Sequence, residues 1–326
     1  MLKGYRLIEA ECDENWDRFV DDSINGTIFS KSHYLKALNV NYKLYYCYKE
    51  KELRAAVSLI ESENKKNTIL NDFIVYNGIM YNKPTTDQNH SQKLSEQFRI
   101  QEFIATELAI GYENIELSLH PSIVDVRAFL WVNYSDNKPQ YKSNIRYTTY
   151  LNISDFKNSK KLEDISIYNK ASNSRRQQIR YAIKKNYQTE IINDPGKLVD
   201  FYKKTMNRQG FKVEIKKLQR MKGLSSKLIE KDMAKIYASY DDLGELSSMA
   251  LFGWDNKRAY YIFGANDPAK RNGHSGTNVL WEAFYDLSKM DINEVDLEGV
   301  NSPHRGWFKL SFGGDITPYY ELNYRN

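Results

Sequence analysis

At 326 residues the chain has room for about two domains of the usual ~100–200 residues each. Its 41% hydrophobic and 27% charged residues allow a packed core and exclude wholesale disorder, and no apolar run approaches the ~18 residues of a membrane-spanning helix. A net charge of +5 is small for a dedicated nucleic-acid binder of this length, and two cysteines, Cys12 and Cys47, exclude a disulfide framework and a four-thiolate zinc site.

Residues 1–11 carry charges where a secretion signal needs an apolar stretch, so a reducing, cytoplasmic setting is expected. The first helical signal covers residues 32–39. Alternating, aromatic-rich residues 43–48 and 53–60 then predict a hairpin across the charged turn 49–52. Residues 68–81 read as one or two strands broken at Asn77-Gly78. A helix follows over 91–110, with Leu94, Phe98, Ile104 and Leu108 at helical spacing and Gly111 as its stop. Residues 114–120 alternate as a short strand.

The second half repeats the order. Helices are expected over 197–209 and 216–240, a hairpin over 246–254 and 258–265, and a helix over 276–290 whose apolar face is Val279, Leu280, Ala283, Phe284 and Leu287. Short strands are expected over 292–297 and 317–323. This recurrence of helix, hairpin, helix, short strand predicts a duplicated α/β unit. The Ser-, Asn- and Lys-rich connection over 150–168 is the expected boundary, giving units 1–155 and 156–326.

The five histidines, His33, His90, His120, His274 and His304, are scattered, and no Cys-x-x-Cys occurs, so no metal is expected. A Gly-x-Ser-x-Gly elbow, a P-loop and a Rossmann glycine pattern are also absent. Three segments carry the remaining chemistry. In residues 172–186, Ser174 and Gln177 have capping-box spacing, Ile179, Ala182 and Ile183 share one helix face, and Arg176, Arg180 and Lys184 share another. That basic stripe is either a solvated face or a phosphate- or carboxylate-binding one, with Arg176 and Arg180 as substrate ligands.

In residues 268–277, small residues ahead of a helix leave backbone N–H groups for an anion such as the pyrophosphate of a coenzyme A donor. The expected donor-binding set is Lys270, Arg271, Gly273, Ser275, Gly276 and Thr277, with Ser248 and Met249 on the neighbouring strand; a plain connecting loop is the alternative. In residues 296–314, a strand end leads into a polar loop carrying Trp307, Phe308 and Lys309. Polar groups at the carboxyl end of a strand are a common site geometry in α/β sheets. A desolvated Lys309 there would face a developing negative charge, with Glu245, Asp296 and Glu298 as candidate bases. The 25 tyrosines suit half-buried strands or ring-containing polar ligands.

Phe308-Lys309, then Phe312-Gly313-Gly314 and a closing tyrosine strand, resemble the C-terminal signature of FemAB-like acyltransferases of the GNAT superfamily. Residues 175–185 are similar to that family's basic R-R-x-x-I-R-x-A segment. Trp16 with residues 29–38 resembles its opening F-x-S-x-x-W/Y-L-x-A-L, and residues 125–131 with 147–151 resemble the end of its first half. The resemblance implies two tandem GNAT-like domains, each a mixed, mostly antiparallel sheet flanked by helices, with an acceptor cleft and a donor cleft. It implies acyl transfer to an amine, with Phe308-Lys309 at the reacting centre and Lys309 stabilising the charge.

The expected donor is acyl-CoA and the expected acceptor a nucleotide- or lipid-linked sugar of the cell envelope or capsule. The alternatives are a Fem-type transferase using aminoacyl-tRNA, with tRNA as partner, and a non-catalytic glycan- or nucleic-acid-binding module. Residues 270–275 only approximate the family's Q/R-x-x-G-x-G/A donor loop.

Overall fold

A computed structural model describes residues 4–84, 88–208, 210–267, 269–270 and 274–326. The chain divides into two compact units, Met1–Arg146 with Pro318–Asn326, and Tyr147–Thr317. The boundary expected near residue 155 lies just beyond the strand within which the chain passes from the first unit to the second.

The first unit contains β1 (Tyr5–Glu9), α1 (Glu14–Asp22), α2 (Ser32–Leu38), β2 (Tyr42–Lys49), β3 (Glu52–Ile60), β4 (Gly78–Tyr81), α3 (His90–Gly111), β5 (Asn114–Ser118), α4 (Arg127–Leu130) and the start of β6 (Lys142–Asn152). Strands β1 to β4 form an antiparallel sheet in that order. Asp13 caps α1 by accepting the Trp16 N–H at 3.0 Å, and the Trp16 indole donates to the Ser30 carbonyl at 2.7 Å. The opening motif is therefore a packing device: Trp16, Phe29, Tyr34, Leu35 and Leu38 are all buried. Helix α3 lays Ile100, Ile104, Ala105 and Leu108 against Val57, Leu59 and Ile79 of the sheet. Of the strands expected over 68–81 only β4 forms; residues 68–77 make isolated bridges such as Asn71 with Ile74.

The second unit takes up β6 and continues with α5 (Ser166–Lys170), α6 (Asn173–Lys184), β7 (Gln188–Ile192), α7 (Pro195–Arg208), α8 (Ile215–Glu230), β8 (Ala234–Tyr240), β9 (Leu246–Trp254), β10 (Ala259–Asn266), α9 (Ser275–Lys289), β11 (Glu294–Asp296), α10 (Pro303–Leu310) and β12 (Asp315–Arg325), whose later residues belong to the first unit. Its strands run in the order β6-β11-β10-β9-β8-β7, antiparallel except for β10 with β11. The expected face of α9, Val279 to Leu287, is buried against Tyr237, Ala250 and Phe252.

Two expectations fail here for physical reasons. The helix expected over 216–240 ends at Glu230; Asp232 turns the chain at φ 52°, and residues 234–240 pair on both sides between β7 and β9. The loop expected to carry Lys309 is instead α10. Pro303 fits its first turn, where no intrahelical N–H is needed, and Gly306 passes so close to Val300 that a Cβ would lie 2.4 Å from its carbonyl oxygen. No helix among the described residues is long and apolar enough to cross a membrane.

Candidate active site

Strands β10 and β11 pair only at Ala259 with Val295 and Tyr260 with Asp296. Strand β11 then ends, while β10 runs on to Asn266 through a register shift between Tyr261 and Phe263. From Tyr261 onward the β10 edge that faced β11 has no strand partner among the described residues, which opens a wedge; at its far end the Thr205 hydroxyl bonds both the N–H and the C=O of Asn266. At its far end α9 begins. His274 precedes the helix at φ 59° and supplies no side-chain cap; its carbonyl accepts the Thr277 N–H at 2.9 Å, and among the described residues the Ser275 and Gly276 N–H groups have no partner, so they stay available to an anion. Gly276 brings this turn close to β10, where a Cβ would lie 2.7 Å from Asn266 Oδ1.

At the narrow end of the wedge sit three of the expected catalytic residues. Asp296 is fully buried; its Oδ1 accepts from the Thr148 hydroxyl and, at 2.7 Å, from the Glu298 N–H. The loop after β11 is tied to β6 by the Val300 N–H on the Tyr147 carbonyl at 3.0 Å and by Asn301, whose amide bonds both Tyr147 backbone groups. That tie holds Glu298 at φ 60° with its Oε1 buried and without a hydrogen bond. Lys309, on the last turn of α10, donates to the Gly299 carbonyl at 3.2 Å and lies over the Tyr261 ring, 5.5 Å from its centre.

Burial sets the electrostatics of this group. It raises the Glu298 carboxyl above its ordinary value; Asp296 adds to the rise and the Lys309 charge opposes it. Burial also pulls the Lys309 ammonium below its ordinary value, against the two carboxylates. Tyr261 is raised by burial and then by the Glu298 charge, so it stays a neutral hydroxyl. A carboxyl and an amine whose pKa values burial pushes toward each other are a recurring arrangement at sites of acid–base chemistry. Glu298 thereby has the properties of a proton acceptor and Lys309 those of a cation beside it.

The other expected residues are distributed differently. Ser248 and Met249 do not line the wedge. Both are buried, and the β9 backbone is paired on one side with β8 and on the other with β10, so it has nothing to offer a donor. Ser248 instead bonds Asn266 and, at 2.7 Å, Ser275, fastening the end of β10 to the start of α9. Lys270 is engaged by two carboxylates, Asp241 at 3.1 Å and Glu245, so the expected donor-binding cation and one of the expected bases pair with each other. Arg271 and Gly273 lie outside the described residues. Ser275 and Thr277 are buried in the first turn of α9, Ser275 facing Ser248 and Thr277 facing α6.

On α6 the N-cap is Ser172, not Ser174, accepting the Arg175 N–H at 3.2 Å. Arg180 donates to the Tyr168 hydroxyl at 2.7 Å and Arg176 to Asn173, and no carboxylate pairs with either among the described residues. Ile183, expected on the apolar face, is exposed; the residue that joins Ile179 and Ala182 in the interior is Arg175. Sequence reasoning missed Arg175, although its i, i+4, i+7 relation to Ile179 and Ala182 was a usable signal. Trp307 is 74% exposed on α10, and Phe308 packs inward against Phe312 with ring centres 5.5 Å apart.

The Gly-Gly pair after Phe312 is steric. A Cβ on Gly313, at φ 86°, would lie 2.7 Å from the Lys170 carbonyl carbon, and one on Gly314 would lie 2.6 Å from both Leu151 and Thr149. No group of three or more His, Cys, Asp or Glu among the described residues has the arrangement of a metal site.

A family model described as an acetyltransferase (GNAT) domain matches residues 173–306, the stretch that holds the wedge and the start of α10. Among solved structures, FemX superposes with a TM-score of 0.66 at 13% identity, over 97% of this chain and 96% of that one. A tandem GNAT protein from the clavulanic acid biosynthesis pathway gives 0.54 at 7% identity, over 98% of each chain. The C-terminal domain of a putative lysylphosphatidylglycerol synthetase from Agrobacterium fabrum gives 0.52 at 10% identity, over 97% of this chain and 93% of that one. No curated protein sequence matches the chain. Residues 173–306 thus match a GNAT acetyltransferase domain, and along nearly its whole length the chain shares the fold of FemX and of a tandem GNAT protein.

Proposed function

We propose that the second unit transfers an acyl group from a coenzyme A thioester to an amine of a nucleotide- or lipid-linked sugar used in the cell envelope or capsule. The observation that carries this reading is the parting of β10 from β11 beside Lys309 and Glu298. An extended chain with amide groups, such as pantetheine, suits the unpaired β10 edge, and the uncapped start of α9 suits its phosphates. The chemistry then follows from the residues at the narrow end. The amine nitrogen forms its bond to the thioester carbon, and the carbonyl oxygen takes the negative charge. The Lys309 ammonium stabilises that oxyanion, a kind of contact worth about 2.7–4 kcal/mol in transition-state stabilisation. Glu298 accepts the amine proton, and the tetrahedral intermediate collapses with loss of the thiolate. Exposed Trp307 on the same helix offers a face for a sugar ring, and Arg176 and Arg180 offer charge for a diphosphate.

A second reading keeps the site and replaces the donor with aminoacyl-tRNA. Residues 195–231, which form α7 and α8, hold eleven Lys and Arg against three Asp and Glu, so this helix pair concentrates more positive charge than the whole chain carries net. Thermal-shift titrations with acetyl-CoA and with charged tRNA separate the two. A ligand at 100 times its dissociation constant stabilises by about 2.7 kcal/mol. A shift with acetyl-CoA alone supports the first reading; a salt-sensitive shift with charged tRNA alone replaces it with the second.

A further inference from the structure

We propose that Arg175 is the positioning residue for Lys309, tying the first turn of α9 to the turn of α10 that carries the lysine; the functional meaning of this tie rests on the acyl-transfer reading above. Arg175 is 6% exposed, and among the described residues no carboxylate pairs with it. Its guanidinium reaches three segments at once. Nε donates to Ser311 Oγ at 2.9 Å, just after α10, and Nη2 to the Phe308 carbonyl at 3.4 Å within it. Nη1 donates to Gln178 Oε1 at 2.5 Å and to Thr277 Oγ1 in the first turn of α9; Thr277 in turn donates to Gln178 at 2.8 Å. The Phe308 and Phe312 rings lie 4.5 and 4.4 Å from its central carbon.

A cation withdrawn from water without a counter-charge is a poor device for stability, and an apolar side chain would fill the gap between the two rings at less cost. What a planar fork with five donors does supply is fixed direction toward several acceptors. Phe308 immediately precedes Lys309, so holding its ring and carbonyl holds the root of the Lys309 side chain. Thr277 belongs to the first turn of α9, which has no side-chain cap and is where the acyl-transfer reading places the donor's phosphates. An anion drawing on that turn is therefore mechanically connected, through one side chain, to the cation at the reacting centre. Lysine at 175 would keep the charge and lose the fork.

The test compares Arg175→Met, Arg175→Lys, Lys309→Ala and the Arg175→Met/Lys309→Ala double variant, following CoA release from acetyl-CoA with a UDP-linked amino sugar as acceptor. Misplacement of a reacting group by a remote change can lower kcat about 100-fold, and both Arg175 variants are expected to do so with KM for acetyl-CoA within about threefold. Because Arg175 acts through Lys309, the double variant should fall no more than about threefold below Lys309→Ala; a merely structural role would multiply the two losses. A readout that needs no turnover is methylation of Lys309 by formaldehyde and cyanoborohydride, followed by peptide mass spectrometry. Arg175→Met should change its rate about fivefold or more, since the reaction depends on the neutral amine and its access.

Unchanged labelling with unchanged kcat overturns the proposal. If Lys309→Ala keeps full turnover, or acetyl-CoA is not a donor, the acyl-transfer reading fails, while the labelling rate still decides the Arg175–Lys309 contact. Should Arg175→Met not fold, Thr277→Val and Ser311→Ala each cut one tie and are read by the same measurements.

Discussion

Helices α3 and α9 hold the same place in the element order of the two units, each following an antiparallel strand pair and preceding a short strand, yet their first turns are built in opposite ways. In α3, Asn89 accepts the Gln92 N–H at 3.0 Å and the Gln92 side chain accepts the Asn89 N–H at 2.8 Å, a closed capping box. In α9, His274 sits in the left-handed region with no side-chain cap, and Gly276 brings the turn against Asn266. The first N–H groups of any helix need acceptors. The first unit supplies one from the Asn89 side chain, whereas the start of α9 receives none from the His274 side chain, and only the His274 carbonyl accepts the Thr277 N–H. A repeated fold therefore does not repeat the site, because a few cap residues decide whether a helix start is satisfied internally or open.

Five substitutions test that contrast, beginning with the largest expected effect. Lys309→Ala should lower kcat about 100- to 1000-fold if an oxyanion contact is lost. Lys93→Ala, in the first turn of α3, should leave turnover within about twofold in the same assay; equal losses would break the comparison. Glu298→Gln should cost about 100-fold, the ordinary scale for a general base, and should abolish the rising limb of the pH–rate profile. The direction of that limb follows from the raised carboxyl. Burial disfavours the ionised form, and only the ionised form accepts a proton, so wild-type turnover climbs as pH passes the raised value. The same sign governs stability. The folded protein holds the protonated carboxyl in preference, so it loses stability as pH rises through that value, and Glu298→Gln should unfold at a higher temperature than wild type at alkaline pH.

The cap exchange comes next. His274→Asp would place a carboxylate at the start of α9, supplying the missing cap and repelling an incoming anion. KM for a coenzyme A donor should rise about tenfold while unfolding free energy increases by up to ~1 kcal/mol. The converse, Asn89→Ala, should destabilise by about 1 kcal/mol in denaturant titration and leave turnover untouched. A loss of donor affinity in Asn89→Ala would place an anion site in the first unit as well.

Much of the framework was legible because it is written locally. The apolar face of α9 and the β2–β3 hairpin follow from periodicity within a few residues, and the Phe308-Lys309 and Gly313-Gly314 signatures point to the segment that carries the half-buried Lys309. The misreadings share a cause. Residues 234–240 have no helix-breaking residue to separate them from α8, and only pairing with β7 and β9 makes them a strand. The Pro303 to Leu310 segment reads as a loop until Gly306 is seen packed on Val300. Arg176 and Arg180 drew attention as an unpaired basic stripe, whereas the arginine that organises the site is Arg175, hidden by its place among the apolar residues of α6.

By itself the amino-acid order determined which stretches curl or extend, where glycine is compulsory, and that an aromatic–lysine pair lies near the end of the chain, since these depend on neighbours a few positions away. Only the folded chain decided that β11 stops short of β10, that Glu298 and Lys309 share one desolvated corner, and that a guanidinium bridges α6, α9 and α10. Each of those depends on groups far apart along the chain and on the water their contact removes, and no local pattern encodes the removal of water.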